Sequence, residues 1–273
     1  MVRLDGEVRR EEDVGFDGSV GDVLARERRS RDLAIVTPDG RERTYHDLIT
    51  NAYKAANVLR YLGAREGATV AVHPDPGFHP TLAFLGAAGL GASVRFDPAA
   101  GLDAGDRVVL VPTAAESDTT PAPGTNLTVF GGPPTRPETT HWEQELWSEN
   151  PGMVPSTVEP TDPVVRDPTG SLSHQRLLAL ADAAIKAAAI DADTRVVVRA
   201  PITDNRALAA GVVAPLVTGG TVVLDRALGA ASDPPADDPA RGDVAIVADE
   251  AVTPPAPSRL VVHAVSELSS THD

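Results

Sequence analysis

Residues 44–63 read TYHDLITNAYKAANVLRYLG. Thr44 is a good N-cap, and Asp47 three positions on completes a capping box of the aspartate kind. Leu48, Ala52, Ala55, Leu59 and Leu62 then recur at helical spacing, and Gly63 supplies the stop. The chain beyond continues in the same style. Residues 69–73 read as a strand, 74–77 as a loop, 80–90 as a mostly apolar helix, and 92–96 as a second strand. Strand, helix and strand joined by short loops predict a parallel sheet and an α/β fold.

Outward from this unit the reading is less regular. Residues 20–28 predict a short helix, and 33–37 a short strand ending in the turn Pro38-Asp39-Gly40. Residues 107–111 and 127–130 continue as strands. Ten prolines fall between Pro112 and Pro163, both included, so this stretch reads as a long, partly irregular connection. One amphipathic helix near 141–147 interrupts it, and Trp142 and Trp147 are both expected to anchor that helix to the sheet. A second α/β run follows, with a strand at 163–165. Ser173 caps a long helix whose stripe is Leu177, Ala181, Ala184 and Ala188. Residues 195–198 form a strand, Asp204 or Asn205 caps a helix kinked or broken by Pro215, and 221–224 form another strand. A mobile Pro/Asp-rich loop is expected over 227–242, with last strands at 243–247 and 259–262. The expected organisation is a charged segment 1–17 and two similar α/β subdomains, 18–155 and 156–273. Both have mostly parallel sheets with helices on both faces.

Composition narrows the function classes. The net charge is −15, and only Lys54 and Lys186 among 24 basic residues are lysines. An acidic, lysine-poor surface suits concentrated salt, where a Debye length of about 3 Å at 1 M screens self-repulsion. A GC-rich genome produces the same composition; the halophilic reading is preferred. Such charge opposes binding to nucleic acid or anionic membranes. The absence of cysteine excludes disulfides and thiolate chemistry. Residues 1–13 lack the apolar core of a signal peptide, and no run approaches a membrane span, so a cytoplasmic protein is expected.

Residues 18–225 resemble the N-terminal domain of the adenylate-forming superfamily, which comprises acyl-CoA synthetases, adenylation domains and luciferases. Several segments carry the likeness. They are Thr44-Tyr45-His46-Asp47-Leu48, the turn and strand from Ala64 to Val72, the helix and strand over 82–98, and the run from Ser173-His174 to Leu224. The last includes Asp193-Thr194-Arg195-Val196 and the Pro201 turn. The resemblance implies two similar subdomains and a lineage of ATP- and Mg²⁺-using acid:CoA ligases.

The departures fall on the working parts. The family grips ATP with a loop of roughly ten Ser, Thr and Gly residues ending in Pro-Lys-Gly, whose N–H groups and cation offset phosphate charge. Here the segment is only Arg166-Asp167-Pro168-Thr169-Gly170-Ser171-Leu172-Ser173. Pro168 lacks an N–H, Asp167 repels phosphate, and no lysine is near. Thr169, Gly170 and Ser171 stand at the vestigial phosphate-loop position; the plainer reading is a tight strand-to-helix turn. The family's Pro-x-x-His turn lacks its histidine at Pro201 to Asp204. Its later adenine, Mg²⁺ and ribose motifs and its C-terminal lysine domain are not found. No catalytic residue, metal site or cofactor is therefore expected, with ATP·Mg²⁺ only if the shortened loop still works.

The expected function is a truncated, degenerate ligase-like protein acting as a binding or regulatory module, with a complete ligase as partner. The alternative is half of a split acyl-CoA synthetase completed by a partner chain. A third reading is carboxylate or nucleotide binding without turnover at the strand C-termini. His73, Asp75 and His79 lack metal-ligand spacing, Gly131-Gly132-Pro133-Pro134 is a turn, and His174 is expected to make a structural hydrogen bond.

Overall fold

Helix α1 (Tyr45–Tyr61) begins as its sequence dictates. The Thr44 hydroxyl accepts the Asp47 N–H at 3.1 Å, and the Asp47 carboxylate accepts the Thr44 N–H at 3.2 Å. Its predicted stripe, Leu48, Ala52, Ala55, Leu59 and Leu62, is wholly buried. The chain leaves the helix through Gly63 at φ +97°, a left-handed turn that favours glycine. The computed structural model describes residues 18–102, 105–152, 156–167, 170–225, 242–247 and the backbone of 261–264. The charged segment 1–17 and most of the expected loop 227–242 lie outside the described residues.

The other elements are β1 (Leu33–Val36), β2 (Glu42–Thr44), β3 (Thr69–Val72), α2 (Phe78–Leu90), β4 (Ser93–Phe96), β5 (Asp106–Pro112), β6 (Asn126–Phe130), β7 (Thr140–His141), α3 (Trp142–Ser148), β8 (Pro163–Asp167), β9 (Gly170–Ser173), α4 (His174–Ala188), β10 (Arg195–Val198), α5 (Asn205–Leu208), α6 (Ala214–Thr218), β11 (Thr221–Leu224), β12 (Val244–Val247) and β13 (Val261–Ala264). Among the described residues they make two sheets, ordered β13-β12-β10-β11-β1-β2 and β7-β6-β5-β3-β4-β8-β9. Each is parallel except for one hairpin at an edge, β1–β2 in the first and β8–β9 in the second.

The two spans of chain repeat one plan: hairpin, helix, strand, helical connection, strand, strand. In both, the hairpin joins one sheet and the next strand joins the other. Thus β1 pairs with β11, and β8 pairs with β4. The registers also agree. The N–H after β3, at His73, donates to Leu110 O, and the N–H after β10, at Arg199, donates to Ile246 O, both at 2.8 Å. Each sheet therefore draws strands from both spans of sequence.

Helices α1, α2 and α4 share one core with the inner faces of both sheets, including Val70, Val94, Val196 and Val222. The outer faces are buried too, at Val36, Val197 and Val223 in one sheet and Ala71, Val109 and Val129 in the other. Burial on both faces explains why these strands read as runs of valine rather than as alternation.

Three expectations need correction. Residues 20–28 form two 3₁₀ turns, Val20–Leu24 and Arg26–Arg28, broken at Ala25. Their carbonyls and side chains serve tertiary partners: the Tyr53 hydroxyl donates to Leu24 O, and Arg28 donates to Leu216 O and Val217 O. The helix after Asp204 is neither broken nor simply kinked at Pro215. A π turn, Ala209–Val213, separates α5 from α6 and widens the helix just before the proline, which lacks an N–H. Gly211 in that turn lies against Val198, where a Cβ would sit 2.8 Å from its side chain. Finally, Trp142 is fully buried but Trp147 is 88% exposed. Five residues turn an α-helix through about 140° beyond one revolution, so the two rings cannot share a face.

Candidate functional site

The expected strand-to-helix turn at 166–173 is replaced, among the described residues, by a second strand that pairs back on the first. Strand β9 runs antiparallel to β8, with Gly170 opposite Asp167 and Ser171 opposite Arg166. Gly170 sits at φ +156°, where a side chain is strained. Of the three residues singled out from sequence, Gly170 and Ser171 are placed in β9, and Thr169 lies outside the described residues, as does Pro168. Ser173 ends the strand and caps α4, accepting the Arg176 N–H at 3.2 Å.

Two donors at this hairpin are engaged by the protein's own carboxylate. Asp167 Oδ1 accepts the Gly170 N–H at 3.0 Å, and Asp167 Oδ2 accepts the Asn205 amide at 3.1 Å. Asn205 is held there because Asp204 caps α5, taking the Arg206 N–H at 2.8 Å and pairing with its guanidinium at 3.0 Å. Sequence reading flagged Asp167 as repelling phosphate. It did not find Asn205, whose partner is 38 residues away.

The Asn205 contact brings this hairpin to α5, which follows β10 of the first sheet. Strand β10 connects to β11 on one side and is flanked by β12 on the other, the topological switch where open α/β sheets hold ligands. On the other side of β10 from that switch, Arg199, directly after β10, reaches Asp225, directly after β11, at 3.3 Å. Arg199 is only 5% exposed, so a desolvated ion pair bridges the strand ends.

In the second sheet the equivalent residues are His73 after β3 and Asp97 after β4. His73 Nδ1 accepts the Asp75 N–H at 3.3 Å. His79 turns away to pack on Phe130, ring centroids 5.9 Å apart, and stands 3.6 Å from Glu143. Burial holds its pKa below the ordinary value, against the pull of Glu143. His141 lies 3.5 Å from the other Glu143 oxygen, a grouping invisible in the sequence. Among the described residues no three metal-ligating groups are arranged to hold an ion. Lys54 and Lys186 are engaged elsewhere, with Leu146 O and Asp182.

No family model and no curated protein matches the chain. Solved structures match it in fold. The anthranilate CoA ligase AuaEII, in complex with anthranoyl-AMP, superposes with TM-score 0.69 at 18% identity, over 85% of this chain and 50% of that one. Apo MatB from Rhodopseudomonas palustris gives 0.66 at 18%, with the same coverage. The N-terminal domain of FACL13 from Mycobacterium tuberculosis gives 0.62 at 19%, over 76% of this chain and 56% of that one. The fold is that of the N-terminal domain of adenylate-forming ligases, and the chain spans about half the length of the ligases it matches. Among the described residues, no helix is long and apolar enough to cross a membrane.

Proposed function

We propose that this chain is a ligase-like binding or regulatory module that does not form adenylates on its own. The observation that carries this reading is the Asp167 hairpin. A phosphate site needs converging free N–H donors and a compensating cation. At this hairpin a fixed carboxylate holds the Gly170 N–H and the Asn205 amide. Phosphoryl chemistry rests on positioning and charge neutralisation, and a carboxylate in that place opposes both. The module would act in the cytoplasm beside a complete ligase of its own lineage.

Calorimetry with ATP·Mg²⁺ in molar KCl tests it. The expected result is no heat at millimolar ATP. Saturable heat would overturn the reading, and pyrophosphate exchange with a panel of carboxylic acids would then define the acid.

A second reading, an acid:CoA ligase completed by another polypeptide, rests on the fold shared with solved ligases. It requires the Asp167 hairpin to rearrange when the partner binds. ATP heat appearing only in the complex would support it.

A further inference from the structure

We propose that His174 is an acid-sensitive latch: it holds the 3₁₀ strap Val20–Leu24 across the seam between α1 and α2, and its protonation releases the strap. His174 is fully buried, and its Nδ1 accepts the Val20 N–H at 3.0 Å, across 154 residues of sequence. That bond requires Nδ1 to be unprotonated, so the neutral ring carries its hydrogen on Nε2. Nε2 is itself buried without a hydrogen-bond partner. A second proton would set an N–H against the Val20 N–H and place a cation in the core.

The charges that face the ring are Asp22 on the strap and Asp162 ahead of β8. Both favour the imidazolium, but burial outweighs them and pushes the pKa down to about 4. The strap is pinned at its other end by the Tyr53 hydroxyl, which donates to Leu24 O at 2.6 Å. Phenol does not titrate in acid, so release at Val20 would leave the strap hinged at Leu24.

The strap has something to uncover. Ser19, Asp22 and Leu24 wall one side of a groove of about 300 Å³. Small residues on α1 and α2, including Ala52, Ala56 and Gly86, line it from below. A partner that does not titrate in acid would secure the strap at every pH. At the matching position of the other half the protein uses one: Tyr45, whose hydroxyl donates to Gly220 O at 2.7 Å.

Hydrogen exchange on the full chain, read by NMR and corrected for intrinsic rate, tests the latch. Protection of the Val20 amide should fall at least tenfold between pH 7 and pH 4.5, while Ala52 and Ala56 in α1 keep theirs. In His174→Asn, whose Oδ1 retains an acceptor that does not protonate, Val20 protection should not change with pH. Unchanged Val20 protection in the wild type would overturn the proposal. So would equal loss in α1, which would mark global unfolding, or the same pH response in the asparagine variant.

Discussion

The entrances to α1 and α4 solve one problem with different chemistry. Each follows an edge hairpin, each is capped by a hydroxyl, and each places a ring at its first helical position. Both rings reach into the opposite half. Tyr45 donates to Gly220 O and Pro215 O, beside α6, and His174 accepts from Val20. The hairpins differ in the same way. Between β1 and β2 the turn closes on itself, with Asp39 held by Thr37 and Arg41. Between β8 and β9, Asp167 also reaches out to Asn205 on α5. The Tyr45 contact thus rests on a phenol that does not titrate in acid, whereas the His174 contact depends on a neutral imidazole. Identical placement in a repeated plan fixes where a side chain reaches, and the identity of that side chain fixes when it holds.

The strongest way to break this equivalence is at the strand ends beyond the two helices. Arg199→Met removes the buried guanidinium that pairs with Asp225 and should cost about 3 kcal/mol in urea denaturation, while His73→Ala at the matching position should stay within about 0.5 kcal/mol. Equal losses would mean the two sets of strand ends are alike.

The next effect is pH. The folded His174 pKa, about 4, lies below the ordinary 6.5. The unfolded chain therefore binds the proton first, and stability rises with pH across that window. The contribution is complete above pH 6.5 and is lost as pH falls towards 4, by at most about 3 kcal/mol. Strap release would stop the loss short of that limit. Denaturation midpoints across this range should fall in the wild type and flatten in His174→Asn.

Tyr45→Phe removes a buried donor from two carbonyls and should cost about 1–2 kcal/mol, equally at pH 7 and pH 4.5. A pH-dependent cost would erase the contrast with His174. The smallest difference lies in the caps. Thr44→Ala should cost about 1.5 kcal/mol because it dismantles a reciprocal capping box, and Ser173→Ala about 1 kcal/mol. Thermal unfolding of the two variants side by side would rank them.

Much of this was legible in the chain. The caps Thr44, Ser173 and Asp204, the buried stripe of α1 and that of α4 as far as Ala184 rest on bonds and burial between near neighbours, which sequence spacing encodes. Strand β9 was not legible. Gly170-Ser171-Leu172-Ser173 has turn chemistry, and it extends only because β8 supplies the antiparallel partner. Trp147 was misjudged for a geometric reason available in the sequence, the angle between residues five apart. The Glu143 grouping with His79 and His141 had no signal, since its members approach from three different elements.

The fold class, the capped starts of α1, α4 and α5 and the shortness of the segment at 166–173 follow from the chain alone, because they depend on local torsions, caps and chain length. That the two halves exchange hairpins, that Asp167 holds Asn205 and that His174 grips Val20 emerges only once the chain has folded. These contacts join groups 38 to 187 residues apart, and packing across the two halves, not proximity along the chain, brings them together.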